Sequence, residues 1–277
     1  MDSVQRPQTS ASAIRESNRE LILRNRIAFA NLAGFYYAKL EERWGEKVCT
    51  SHAIKSDLIH SGMNRVITDE PNGIVTLASR FSKVHYTVCI PKRLDLEKLR
   101  CGGFRRESYS REMAVNIEDL PPLIGCNKDI SINTVKADAE LKEWAKLIAL
   151  GYKTDFLMDG EMRTALKEDK GNLLLYLAKD KEQAAAASFI YIHEDTAVLY
   201  LLTTHPDMRL KGIAKSLITE AIKTLKEKGV RRLAFTTSGP QSSSICAKYK
   251  FYLLNEYYRY IHPIPQHKLR TADYRGF

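Results

Sequence analysis

The chain has 277 residues, which is long for one compact domain and sufficient for two. Hydrophobic residues make up 44% and charged residues 27%, values that are ordinary for a globular protein. The sequence contains no apolar stretch of transmembrane length, and residues 1–17 lack the apolar core of a secretory signal. We therefore expect a cytoplasmic protein without a membrane-spanning segment.

The cysteines and the net charge narrow the possible ligands. The cysteines are scattered, odd in number and form no Cys-x-x-Cys pair, which argues for reduced thiols and against a disulfide framework or a zinc site. The formal net charge is +10, but no basic tract is interleaved with stacking aromatic residues and no nucleic-acid-binding module is recognisable. We therefore expect neither a metal site nor a nucleic-acid partner.

The first half of the chain predicts a long helix followed by short strands. Apolar residues recur at helical spacing from position 11 to about position 42, with Gly34 as the weakest point. Two strands are expected within residues 74–90, then a short helix over residues 94–100 and a strand around residues 111–117.

A linker is expected after these elements. Pro121, Pro122 and Gly125 lie between two patterned regions, and we place the linker at residues 119–128. The predicted domains are therefore residues 1–118 and residues 129–277.

The second half predicts a regular order of strands and helices. Three apolar strands form an antiparallel meander, and the strand after the following helix runs parallel to the third because a helix crosses over to reach it. The predicted elements are strand 132–135, helix 137–150, strands 173–178, 184–192 and 197–204, a helix from residue 213 to the stop at Gly229, strand 231–237, helix 242–250 and strand 254–261.

The sharpest motif follows the third strand of the meander. The turn His205-Pro206-Asp207 leads into residues 209–214 (RLKGIA), which open an amphipathic helix. The amides of such a loop and the positive end of the helix point at the same place, so together they form an anion site. The pattern Arg-x-x-Gly-x-Ala behind a strand resembles the acetyl-CoA pyrophosphate loop of the GNAT superfamily of N-acetyltransferases.

This resemblance implies a fold and a domain arrangement. It predicts an α+β fold with a mixed, mostly antiparallel sheet flanked by helices, over residues 129–262. The run from Leu99 to Phe104, followed by a strand with Met113, looks like the late part of a second GNAT domain. Two tandem domains are therefore expected, the first of them degenerate and without a cofactor loop. The alternative is an unrelated extension that shapes the substrate cleft.

The resemblance also implies acetyl-CoA as the acetyl donor and names the residues that hold it. The loop amides would bind the pyrophosphate, the end of the third strand would line the pantetheine arm, and a backbone amide near Thr204 would stabilise the oxyanion. The implied cofactor-binding residues are Leu202, Thr203, Thr204, Arg209, Leu210, Lys211, Gly212, Ile213, Ala214 and Lys215.

The proton-transfer groups are less well defined by the resemblance. Cys246 stands where the family's usual tyrosine acid would be, and Tyr249 follows one helical turn later, so both are candidate general acids and the alternative is that both are packing residues. For the general base, the turn residues 193–195 (HED) and His205 stay open, as does a water relay.

The expected reaction is transfer of an acetyl group from acetyl-CoA to an amine by direct attack in a ternary complex. The acceptor is a small molecule or a protein, and the sequence does not specify which. The alternative function is a non-catalytic module that binds CoA or a protein partner through a decayed active site.

Overall fold

The computed structural model describes residues 11–33, 36–44, 47–55, 65–68, 87–91, 104–121, 126–153, 159–237, 246 and 249–261. The helices are α1 (Ala11–Leu32), α2 (Asp138–Tyr152), α3 (Asp159–Glu168) and α4 (Ile213–Glu227). The strands are β1 (Tyr36–Trp44), β2 (Lys47–Lys55), β3 (Arg65–Thr68), β4 (Thr87–Pro91), β5 (Arg105–Asn116), β6 (Ile130–Thr134), β7 (Leu173–Asp180), β8 (Gln183–His193), β9 (Thr196–Thr204), β10 (Arg232–Thr237) and β11 (Tyr252–Ile261).

All of these strands belong to one sheet, in the order β1-β2-β3-β4-β11-β5-β10-β9-β8-β7-β6. The two halves repeat the same pattern, because each has a meander followed by a parallel pair, β3 with β4 and β9 with β10. The other neighbours pair antiparallel. The predicted mixed, mostly antiparallel sheet flanked by helices is confirmed.

The halves exchange their last strands. β5, from the first half of the chain, lies between β10 and β11, whereas β11 lies between β4 and β5. Each half therefore completes the sheet of the other. The domain division at residues 119–128 stays a prediction, and residues 122–125 of that linker lie outside the described residues.

Helices cover both faces of the second half of the sheet. Alternate residues of β7 point to opposite sides, so its apolar run is buried throughout, as is typical of strands with two covered faces. One face packs against α1, α2 and α3 and contains Trp144 and Phe189; the other packs against α4 and contains Tyr176 and Leu217. No helix in the part of the chain that the structure describes is long and apolar enough to cross a membrane.

Most elements predicted for the second half are confirmed within two or three residues. The helix predicted over residues 242–250 falls mostly outside the described residues, although Cys246 is helical. The sequence pattern missed α3, in which Met162 and Ala165 are buried.

The prediction of one long first helix is partly wrong. Helix α1 ends at Leu32, just before Gly34, and residues 36–44 form β1 instead of continuing the helix. A nine-residue antiparallel ladder with β2 supplies the backbone hydrogen bonds there. The prediction failed because local spacing does not reveal such a long-range partner.

Strands β2 and β3 of the first half were also missed. Strand β4 corresponds to the second predicted strand, and the predicted elements at residues 74–77 and 94–100 lie outside the described residues.

A buried ion pair beneath α1 is hydrogen-bonded to the second half of the chain. Arg26 of α1 lies 2.6 Å from a carboxylate oxygen of Glu112 on β5, and both residues are less than a tenth exposed. The same guanidinium donates a hydrogen bond to Thr236 Oγ1 on β10, at 3.1 Å. Three elements from distant parts of the chain are therefore fixed by one charged cluster.

We expect Glu112→Leu to destabilise the protein more than the double variant Arg26→Met, Glu112→Leu. The single change leaves a buried guanidinium without its carboxylate, which costs about 3–5 kcal/mol, whereas replacing both partners with apolar residues is often close to neutral. Urea unfolding of the wild type, both single variants and the double variant measures the free energies of unfolding. A double variant that is less stable than Glu112→Leu would contradict this account.

Candidate active site

The sheet opens between β9 and β10. Their parallel pairing runs from Thr196 opposite Arg232 to Leu199 opposite Phe235 and then ends, although β9 continues to Thr204 and β10 to Thr237. Beyond this point β9 pairs only with β8, and β10 pairs only with β5. The end of β9 therefore presents a strand edge to the opening.

A bulge in β9 lies where the strands separate. Ile190 of β8 pairs with Leu199 and Phe189 pairs with Leu201, so Tyr200 is an extra residue. A bulge bends its strand and increases the local twist. The Tyr200 ring stacks on Phe189 at 4.9 Å, and its hydroxyl donates to Asn25 Oδ1 of α1 at 2.8 Å. Helix α1 thus holds the bend that opens the cleft.

The peptide groups at the end of β9 alternate in direction. His205 N donates to Ala185 O of β8 at 2.8 Å, so the odd-numbered peptide groups at this end face β8. The peptide groups of Leu202 and Thr204 therefore face the opening. Arg209 Nε donates to Thr204 O at 3.4 Å, which agrees with this direction.

The loop before α4 curves its backbone around the predicted anion site. Leu210 and Gly212 have φ angles of 64° and 77°, the left-handed region that glycine adopts without strain. Gly212 is the residue before α4, and the first turn of this helix contains no acidic side chain. Arg209, Lys211 and Lys215 place positive charge around the same helix end. The donor set therefore suits a phosphate group.

Buried contacts anchor this loop. Met208 and Ile213 are buried in the core beneath α4, on either side of the fully exposed Leu210. Ser216 Oγ donates to Asn127 O at 2.9 Å and so fixes the first turn of α4 to the segment before β6. The exposed amides are thus held on a rigid base.

Helix α2 closes the other side of the strand edge. Gly151, in its last turn, lies so close to β9 that an added Cβ atom would be 1.6 Å from Thr203 Oγ1. The next residue, Tyr152, places its hydroxyl 3.4 Å from Leu202 N and 3.5 Å from Leu202 O. The sequence reading missed both residues; the only local signal was a glycine-tyrosine pair at a helix end.

The two candidate general acids are buried side chains. Cys246 and Tyr249 are each only 2% exposed. Burial raises the pKa of the Cys246 thiol to about 11, and the nearby charge of Arg111 only partly offsets this rise. Tyr249 lines a small apolar pocket with Leu199, Phe235 and Lys215, at the point where β9 and β10 separate. Tyr249 therefore lies beside the point where the two strands separate.

The candidate bases separate into two groups. The turn residues 193–195 lie at the start of β9, the end opposite to the opening. Burial raises the pKa of Asp195, but hydrogen bonds from Arg231 and Thr196 and the charge of Arg232 outweigh it and hold that pKa below its usual value. Asp195 therefore acts as a structural ion-pair partner for the start of β10. His205 lies at the end of β9, beside the opening.

Comparison with known proteins agrees with this geometry. Residues 140–250 match the model of the acetyltransferase (GNAT) family. These residues belong to the GNAT family. The match begins in α2 and ends at Lys250, so it contains the opening, the loop and α4.

Solved structures of the GNAT fold resemble 79–92% of the chain. A GCN5-related N-acetyltransferase from Kribbella flavida is 13% identical over 92% of this chain and 96% of its own, with a TM-score of 0.61. One from Sphaerobacter thermophilus is 14% identical over 79% and 78%, with a TM-score of 0.57. A tandem GNAT protein from the clavulanic acid biosynthesis pathway is 12% identical over 82% of each chain, with a TM-score of 0.55. Curated protein sequences give no significant match.

We expect Gly151→Ala to destabilise the protein by about 1–3 kcal/mol, because the new methyl group overlaps Thr203 and forces α2 away from β9. The matched control is Gly160→Ala in α3, where an added Cβ meets nothing within 4 Å. That change should be neutral or stabilising by up to about 1 kcal/mol. Thermal and urea unfolding measure both, and equal effects would contradict the close approach.

Proposed function

We propose that the protein transfers an acetyl group from acetyl-CoA to an amine by direct attack in a ternary complex. The observation that carries this proposal is the strand edge at Leu202 and Thr204, open beside an anion-binding helix end. Membership of residues 140–250 in an acyltransferase family supports the reaction class. The choice of acetyl donor rests on the resemblance of the loop sequence.

The residues fit the parts of acetyl-CoA in order along the site. The amides of residues 210–215 and the positive end of α4 would bind the pyrophosphate, with Arg209 and Lys211 adding charge. The pantetheine arm has amide groups, so it can pair with the edge of β9 at Leu202 and Thr204 as an added strand does. The peptide group of Thr203 faces β8, and its side chain packs against α2. Thr203 would therefore position the edge of β9 without pairing with the pantetheine arm.

The chemistry needs a neutral amine and a donor for the developing oxyanion. The acceptor nitrogen attacks the thioester carbonyl carbon, the carbon–sulfur bond breaks, and its electron pair leaves on the sulfur. The Thr204 amide, which faces the opening, is the predicted oxyanion donor. The thiolate takes a proton from Tyr249, which lines the pocket at the opening, or from Cys246; His205 or a water relay removes the proton from the amine.

The second candidate function is a non-catalytic module that binds CoA or a protein partner. The observation that favours it is the burial of Cys246 and Tyr249. The raised pKa of Cys246 further weakens this thiol as a proton donor. An acetylation assay with a panel of small amines and peptide N-termini separates the two candidates, because a module without activity acetylates none of them.

The remaining assignments belong to the same proposal. The acceptor is an amine, small or protein-borne, and the protein works in the cytoplasm without nucleic acid. The first half of the chain is a degenerate GNAT-like domain without a cofactor loop. The repeated strand pattern and the exchange of β5 and β11 support this assignment.

We expect Gly212→Asp to bind acetyl-CoA at least about 10-fold more weakly than Gly212→Asn, a difference of about 1.4 kcal/mol. Asparagine and aspartate have the same shape and both tolerate the left-handed backbone, which is 77° in φ at Gly212. Only aspartate places a carboxylate against the pyrophosphate. Isothermal titration calorimetry with acetyl-CoA measures the affinity.

Two outcomes of this titration would contradict the proposal. Equal affinity of the two variants would show that the loop does not hold the pyrophosphate. No binding by the wild type would show that acetyl-CoA is not the donor.

A further inference from the structure

The Tyr152 hydroxyl occupies the strand edge at Leu202. Its oxygen accepts a hydrogen bond from Leu202 N at 3.4 Å, and its proton points to Leu202 O at 3.5 Å. Both distances exceed the usual length of about 2.9 Å, so each bond is weak and easily exchanged for a ligand bond. The Tyr152 hydroxyl oxygen therefore already lies beside the Leu202 amide, which faces the opening.

The end of α2 keeps this hydroxyl in place. Gly151 lies against Thr203, and the helix ends directly after Tyr152 because Lys153 adopts a left-handed φ of 53°. Farther back, Trp144 Nε1 donates to Ser188 O of β8 at 3.0 Å. Tyr152 itself is 41% exposed, which leaves space around its ring.

We propose that the acyl oxygen of the bound thioester lies at the Leu202 amide rather than at the Thr204 amide, and that Tyr152 donates a hydrogen bond to that oxygen as a second oxyanion donor. The inference rests on the proposed function, because it concerns the same opening. When the acyl oxygen takes the place of the hydroxyl at Leu202 N, the Tyr152 proton turns from Leu202 O to that oxygen. Two donors from different elements then converge on one atom.

In this role Tyr152 stabilises charge on the acyl oxygen and transfers no proton. Attack by the amine moves the carbonyl π electrons onto the acyl oxygen, where the Tyr152 hydroxyl and the β9 amide stabilise the charge. The pair returns to the carbonyl when the carbon–sulfur bond breaks. Tyr152 keeps its proton throughout, so this role is separate from the protonation of the leaving thiolate.

The other candidate groups are less well placed for this role. Cys246 and Tyr249 are buried, and Tyr249 packs against α4, whereas Tyr152 belongs to α2, which covers the opposite face of the sheet. The Thr203 hydroxyl packs under Gly151. Tyr152 is therefore the side chain for which the described residues show a hydroxyl contact at the Leu202 edge.

Infrared spectroscopy of acetyl-CoA labelled with ¹³C at the carbonyl tests the inference without an acceptor. Hydrogen-bond donors polarise a carbonyl and lower its stretching frequency. We expect the band of the bound thioester to lie at a lower wavenumber in the wild type than in Tyr152→Phe. The control Tyr258→Phe, which removes a tyrosine hydroxyl on β11, should give the wild-type band.

Calorimetry on the same samples makes each result decisive. Binding to Tyr152→Phe with little change in Kd, together with the raised frequency, supports the inference. An unchanged band for bound thioester overturns the inference and leaves the proposed function intact. Loss of binding in Tyr152→Phe also overturns it, because the hydroxyl would then serve affinity. No binding by the wild type would overturn the inference and the proposed function together.

Discussion

The bend of β9 away from β10 is the constraint on which the candidate site depends. The two strands pair over four residues, and the extra residue Tyr200 then turns β9 aside. Where the strands pair, β10 occupies the inner edge of β9, whereas beyond Leu199 the pairing ends and the peptide groups of Leu202 and Thr204 face the opening, where a ligand can pair with them. The bend is held by the hydrogen bond that the Tyr200 hydroxyl donates to Asn25 Oδ1. The Nδ2 group of the same side chain donates to Tyr191 O and Thr196 O. One fully buried amide therefore fixes the β8–β9 hairpin and its bulge together.

The first half of the chain contributes to a site that lies in the second half. Asn25 and Arg26 belong to α1, and Glu112 belongs to β5. Asn25 donates to the backbone of β8, and Arg26 donates to a side chain of β10. Glu112 forms the ion pair with Arg26 and lies opposite β10 in the sheet. Buried polar clusters of this kind add little stability, but they favour the arrangement in which every member keeps its partners. The first half therefore does more than extend the sheet, because its helix and last strand set the shape of the opening.

The sequence predicted the elements whose signals are local. Strands β7, β8 and β9 were predicted from apolar runs, and the loop before α4 was predicted from its motif, because spacing alone carries that information. Strand β1 was mistaken for helix because its stabilising partner, β2, is not visible in helical spacing. The bulge at Tyr200 and the contact of Gly151 with Thr203 depend on residues 175 and 52 positions apart, and no local pattern reports such contacts.

The arrangement of the site also explains how a departure from the family's usual acid can be compatible with catalysis. Acyl transfer divides into stabilising the acyl oxygen and protonating the sulfur, and under the proposed function the two tasks would fall on opposite faces of the sheet. Tyr152 approaches the strand edge from the α2 side, whereas Tyr249 packs against α4 on the other face. A weak acid on one face slows only the departure of the thiol, and a well-placed donor on the other lowers the barrier to attack. Under the proposed function, a cysteine at the position where the resemblance expects the tyrosine acid is therefore compatible with activity.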